Sequence, residues 1–298
     1  MSFNPTSELI SHFIEQLRAG YTHTYGNMKS SYSEIICWVA TTSLEIITNS
    51  DALYHNVEHT ILVTLTGMDI LRGKHIKEGG VSPEDWLHFI ISLVCHDIGY
   101  VKGICSLDQP EKNLYAVGVD DKTIELPSGS TDAALTPFHV DRGKLFIEER
   151  FKDHKLIDVN IIKRNMELTR FPVPNTDDHA DTKGFPGLVR AADLIGQMAD
   201  PRYLQKISAL FYEFQETGTA KALGYKTPGD LRKGYYKFYW RSVHRFIVDA
   251  LTYLAQTQDG KSTIASLYSN IFMVEHSLQK AAAHSGHFAF MAPDADDE

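Results

Sequence analysis

Cysteine is scarce in this chain: there are three, Cys37, Cys95 and Cys105, with no CxxC pair. So few thiols exclude a disulfide framework, and they read as reduced, structural side chains. Long hydrophobic runs are missing too. The longest, near Leu87 to Cys95, is far short of the roughly 20 residues a bilayer span needs. Met1-Ser2-Phe3-Asn4-Pro5 lacks the basic and apolar regions of a signal peptide, so a cytoplasmic location is expected. Positive charge is in deficit, with 29 Lys+Arg against 38 Asp+Glu and a formal net charge of -9. Phosphate backbones and anionic headgroups need a local excess of Lys and Arg, so neither a long nucleic acid nor a membrane is expected as a partner. A small phosphorylated substrate held through metal stays compatible with this balance.

No internal repeat or Pro/Ser-rich linker divides the 298 residues, which favours one domain over residues 1–290 ahead of a disordered acidic tail at 291–298. Apolar residues recur at three and four, which makes the chain all-α. Ser82-Pro83-Glu84-Asp85 sets a capping hydroxyl, a proline at the first helical position and two acids before the apolar run Trp86 to Cys95. Thr136-Pro137 repeats the signal before Phe138 to Phe151, and Asp158 opens a segment to Thr169. Helices continue at Gly187 to Met198, Pro201 to Thr217, Gly229 to Gln256 and Lys261 to His284. Two stretches break the rhythm, Gly99 to Thr136 and Phe171 to Pro186. The first is too long for a passive connection; it should contain a small hairpin within Leu114 to Leu126 and border the functional site as a lid.

What is abundant is histidine, with 14 residues. Tyr54-His55-Asn56-Val57-Glu58-His59 begins a segment running to about Arg72, and on such a helix His55 and His59, four apart, share a side. The apolar helix from Trp86 ends in His96-Asp97, where burying an imidazole and a carboxylate costs several kcal/mol unless a cation compensates both. Asp193 lies in an otherwise small or apolar stretch, with Arg190 as its alternative partner. Together His59, His96, Asp97 and Asp193 supply two imidazoles and two carboxylates, a metal site with vacant positions for water. His88 and His244 read as core histidines with a backbone partner, and the other histidines as surface or satisfied side chains. The aromatic and basic stretch from Gly224 through Trp240 reads as helix packing or the wall of a base pocket.

The series His59, then His96-Asp97, then Asp193 resembles the HD-domain superfamily of metal-dependent phosphohydrolases. Within it, His55-Asn56-x-x-His59 and Ala192-Asp193 followed by Asp200-Pro201 look most like the cyclic-nucleotide phosphodiesterase branch, over roughly residues 50 to 250. The resemblance implies a single helical bundle with an inserted loop after the His-Asp helix. It also implies one or two divalent ions (Mn, Fe, Zn or Mg) on His59, His96, Asp97 and Asp193, with Asp97 bridging. His55 would protonate the leaving oxygen of a phosphate ester, a phosphodiester such as a cyclic nucleotide. His139, in Phe138-His139-Val140-Asp141-Arg142-Gly143, is a further candidate ligand or phosphate contact. Tyr100 stands where the phosphodiesterases carry another histidine, and Arg170 replaces the acid of their Thr-Asp pair. Two readings compete: a di-iron oxygenase on the same scaffold, using His139, and a non-catalytic nucleotide-binding module. A homo-oligomer is compatible with all three.

Overall fold

A computed structural model describes residues 4–289 and confirms the all-α class. The helices are α1 (Pro5–Tyr25), α2 (Ser30–Ile47), α3 (Val57–Glu78), α4 (Pro83–Cys95), α5 (His139–Phe151), α6 (Val159–Glu167), α7 (Phe185–Met198), α8 (Tyr203–Glu216), α9 (Thr219–Ala222), α10 (Pro228–Phe238), α11 (His244–Leu254) and α12 (Gln258–Ala289). The stretch read as one helix from Gly229 is α10, a π-helical turn over Tyr239–Val243, and α11. The acidic tail at 291–298 lies outside the described residues. Among the described residues no helix is long and apolar enough to cross a membrane. One apolar cluster draws on residues from Ile10 in α1 to Val274 in α12, and all three cysteines are free and buried.

Helix starts follow the local chemistry. Ser82 and Asp85 form a reciprocal capping box at α4, and Asp158 caps α6. Thr136 does not cap α5. Its hydroxyl donates back to the Ala133 carbonyl, and the helix begins at His139 with no side-chain cap. At the centre α3 lies against α7, where Gly196 lets the two backbones meet: a Cβ there would sit 2.7 Å from Val63 Cα. Gly196 is one turn beyond Asp193 and Val63 one turn beyond His59, so this close approach draws those two side chains together.

The segment after α4 contains the expected hairpin, β1 (Leu114–Ala116) antiparallel to β2 (Thr123–Glu125) with Tyr115 opposite Ile124. Its first half is fastened by Arg142 of α5, which is fully buried. All five guanidinium N–H groups are used. Nε donates to the Gly99 carbonyl (2.8 Å), Nη1 to Ala116 O (2.6 Å), Nη2 to Val101 O (2.9 Å), and the fork grips both oxygens of Asp108 at 3.0 Å. Its far end is tied by Glu216, which accepts from the Thr131 amide (2.7 Å), and by Asp51, which accepts from the Asp132 amide (2.6 Å). The lid expected of this segment is thus pinned at both ends.

Candidate metal centre

Each donor is set by its local structure. α4, buried nearly all round, stops at Cys95 and delivers His96 as its C-cap residue. The His96 ring turns back so that Nδ1 donates at 2.7 Å to the Leu93 carbonyl, which also accepts the His96 amide at 3.4 Å. A carbonyl can only accept, so Nδ1 carries a proton and, in the neutral ring, His96 Nε2 carries the lone pair. Asp97 follows at φ -103 and ψ 4, in the sparsely populated bridge region, at the start of a 3-10 turn over Ile98–Tyr100. His59 occupies the first turn of α3, which is capped by Asn56; that side chain accepts from the amides of Glu58 (3.0 Å) and His59 (3.3 Å). Such a cap is worth about 1 kcal/mol. Asp193 projects from the middle of α7.

The four converge. His59 Nε2 lies 3.2 Å from Asp97 Oδ2 and 3.6 Å from Asp193 Oδ1; His96 Nε2 lies 3.1 Å and 3.6 Å from the same atoms. Two donors each about 2.1 Å from one cation are separated by about 3.0 Å at a right angle and about 3.4 Å at the tetrahedral angle, so each of these His–Asp spacings suits two donors on one ion. His96 Nε2 and Asp97 Oδ2 are buried and make no hydrogen bond; their 3.1 Å approach lacks the alignment for one. Orphaned acceptors facing each other are what a cation would satisfy. The donor groups His59, His96, Asp193 and His55, His59, Asp97 each fall within 4.8 Å and could hold a metal ion.

The electrostatics agree. Burial opposes the charged forms, yet Asp97 and Asp193 hold His96 well above the usual imidazole range. Against the same burial, His96 and His59 hold Asp97 well below the carboxylate range, and contacts with His59 and His96 bring Asp193 down to about 2. Two buried carboxylates thus demand positive charge here. Arg190 does not supply it. That side chain donates to the His179 carbonyl (2.7 Å) and the Asp181 carbonyl and stacks on Phe246, leaving Asp193 unpaired by any arginine.

His55 departs from the expected geometry: it precedes the Asn56 cap and so sits off the helix that carries His59. Glu213 of α8 holds it, accepting from the Tyr54 amide (2.6 Å), the His55 amide (3.3 Å) and His55 Nδ1 (2.6 Å). Burial lowers the His55 pKa, but Glu213 outweighs it and carries the ring up to about 9. The imidazole packs face to face on Tyr100 (4.5 Å), whose other face covers His139 (4.5 Å). His139 donates from Nδ1 to the Thr136 carbonyl (2.6 Å), and its Nε2 lies 3.9 Å from Asp97 Oδ1. Burial lowers its pKa, keeping it neutral and able to donate a lone pair.

All six residues singled out from the sequence, His55, His59, His96, Asp97, His139 and Asp193, therefore surround one centre. Glu213 was missed. Its one signal is position: it continues the stripe of Tyr203, Ile207 and Leu210 that α8 buries, where an acid needs a partner. Among the other histidines, His88 is the expected core residue, with Nδ1 donating to the Glu84 carbonyl (2.7 Å) and Nε2 accepting from the Asp158 amide (2.8 Å). His179, expected at the surface or satisfied, is buried with Nε2 lacking a hydrogen bond.

Fold and cluster together define an all-α protein with a buried His and Asp group able to hold a metal ion. A family model described as Npun_R2479-like matches residues 3–277, and the chain belongs to that family. No curated protein matches it.

Proposed function

We propose that this chain is a metal-dependent phosphohydrolase that cleaves a small phosphate ester, a phosphodiester such as a cyclic nucleotide. The observation that carries the reading is one buried cluster in which four cation-seeking donors adjoin a proton-bearing imidazole clamped by Glu213. The resemblance of these residues to the HD-domain pattern supports it as well. A divalent ion on His59, His96, Asp97 and Asp193 would act as a Lewis acid toward the phosphoryl oxygens and acidify water.

The chain's own residues do the rest. Glu213 occupies His55 Nδ1, which leaves Nε2 as the nitrogen that hands its proton to the leaving oxygen. Tyr100 fixes the ring plane from one face. The basic limb of kcat/KM against pH should therefore report His55 losing that proton. A bound cation offsets Asp97 and Asp193, while Glu213 remains, so the limb should fall between the free-imidazole value of about 6.5 and about 9. Glu213→Gln removes the largest raising influence and leaves the burial, so the limb should move to lower pH. An unmoved limb would show that another group titrates.

Metal analysis of the purified protein with a phosphodiester panel tests the whole reading. Bound divalent metal, and hydrolysis abolished by chelation and restored by metal, are expected. A metal-replete protein that hydrolyses no phosphate ester would sink it. The oxygenase alternative rests on Asp97 Oδ1 and His139 Nε2 as a second donor pair; stoichiometric iron with a visible absorption band would favour it.

A further inference from the structure

The acidic total conceals a basic face. From Lys221 to Arg245 seven cations, Lys221, Lys226, Arg232, Lys233, Lys237, Arg241 and Arg245, accompany one acid, Asp230, in a chain whose net charge is -9. Asp230 is committed to capping α10, accepting from the Lys226 and Thr227 amides (3.1 and 3.0 Å). All seven cations are exposed, and among the described residues none forms an ion pair, although elsewhere on the surface Lys74, Lys144, Lys163 and Lys206 each hold a carboxylate.

Their arrangement is regular. Lys233, Lys237, Arg241 and Arg245 recur every four residues along α10, the π-helical turn and α11, a row of about 18 Å. Beside it runs a second row, Tyr236, Trp240 and His244, in ring contact at 6.5 and 5.0 Å. Tyr235 and Tyr239 face inward and do the packing expected of this stretch, whereas Trp240 is 47% exposed. Next to Tyr239, α12 adds Tyr268 (39% exposed) and, one turn on, Phe272 (64%).

We propose that this face docks the protein onto an anionic membrane surface. Unpaired Lys and Arg on a helix flanking outward aromatic rings are the elements that bind acidic headgroups and the interfacial zone. Single-stranded nucleic acid uses similar residues but tracks along a groove. The row here lies on the outside of helices, and the clefts between α1 and α3 and between α5 and α6 include none of it. The sequence expectation of no membrane partner rested on total charge, which is blind to this segregation.

Sedimentation of the full chain with vesicles of phosphatidylcholine, alone or mixed with phosphatidylserine, tests the proposal. Binding to the mixed vesicles only, weakened by salt, is expected. The Lys237→Gln, Arg241→Gln double variant should bind about 25-fold more weakly, about fivefold for each cation removed. Trp240→Ser should also weaken binding; both variants should keep the wild-type circular dichroism and metal content, since Lys237 and Arg241 are exposed and the Trp240 ring meets Tyr236, Tyr239 and His244 and no proposed metal donor. No preference for the mixed vesicles, or unchanged binding by folded variants, would overturn the proposal. So would tighter binding of a single-stranded oligonucleotide that the same variants abolish, which would assign the face to nucleic acid.

Discussion

Replacing His55 by alanine should reduce turnover by roughly 10²- to 10⁴-fold, the usual contribution of a general acid, while metal content stays at the wild-type level. The two effects separate because His55 has a dedicated partner: Glu213 takes Nδ1, and the His59, His96, Asp97 and Asp193 donors face one another without it. Asp97→Ala should behave differently. That carboxylate turns Oδ2 to His59 and His96 and Oδ1 toward His139, so its loss removes the one donor that faces all three histidines. Metal and turnover should then fall together. Elemental analysis beside single-turnover kinetics distinguishes the cases, and a metal-free His55→Ala protein would make His55 a ligand, which its place within 4.8 Å of His59 and Asp97 donors also permits.

The largest stability effect should come from Arg142. Removing one partner of a buried, hydrogen-bonded pair costs about 3–5 kcal/mol, because the other charge is left stranded. Arg142→Ala would strand Asp108, whose side chain is 1% exposed, together with the carbonyls of Gly99, Val101 and Ala116. Arg142→Lys keeps the charge but replaces a planar fork by a point donor, so it should recover only part of the loss. Urea unfolding measures both, and tryptic cleavage within residues 99–136 should rise in the same order. Wild-type midpoints would mean the fork holds nothing in place.

Much of this was legible in the residues themselves. The caps at Ser82 and Asp158 depend on neighbours within three positions, and the hairpin near Asp120-Asp121 is marked by local alternation; both residues have positive φ, at 54° and 52°. The donors could be found because an imidazole beside a carboxylate at the end of an apolar helix is costly to bury without a compensating partner. What could not be read depends on distant partners. Glu213 meets His55 across 158 positions, and Arg142 reaches back 43 positions to Gly99, contacts with no periodic signature. The α5 cap failed for a related reason: Gly99 packs against the His139 carbonyl, where a Cβ would overlap it, so tertiary contact rather than a hydroxyl defines that helix start.

The position of Arg142 also bears on how the chain acquires its shape during synthesis. Residues 99–116 leave the ribosome well before Arg142, whose guanidinium is the shared partner of their carbonyls. His96 and Asp97 must likewise wait for Asp193 and His55 for Glu213, although α1 to α4 can already pack together. Domains mature as units as the chain emerges, and both the apolar cluster and the charged centre draw on α7, so neither is complete before that helix is made. Nascent chains halted before α7 should therefore show helical protection in hydrogen exchange while holding a divalent ion more weakly than the full chain, because Asp193 and Glu213 are still missing.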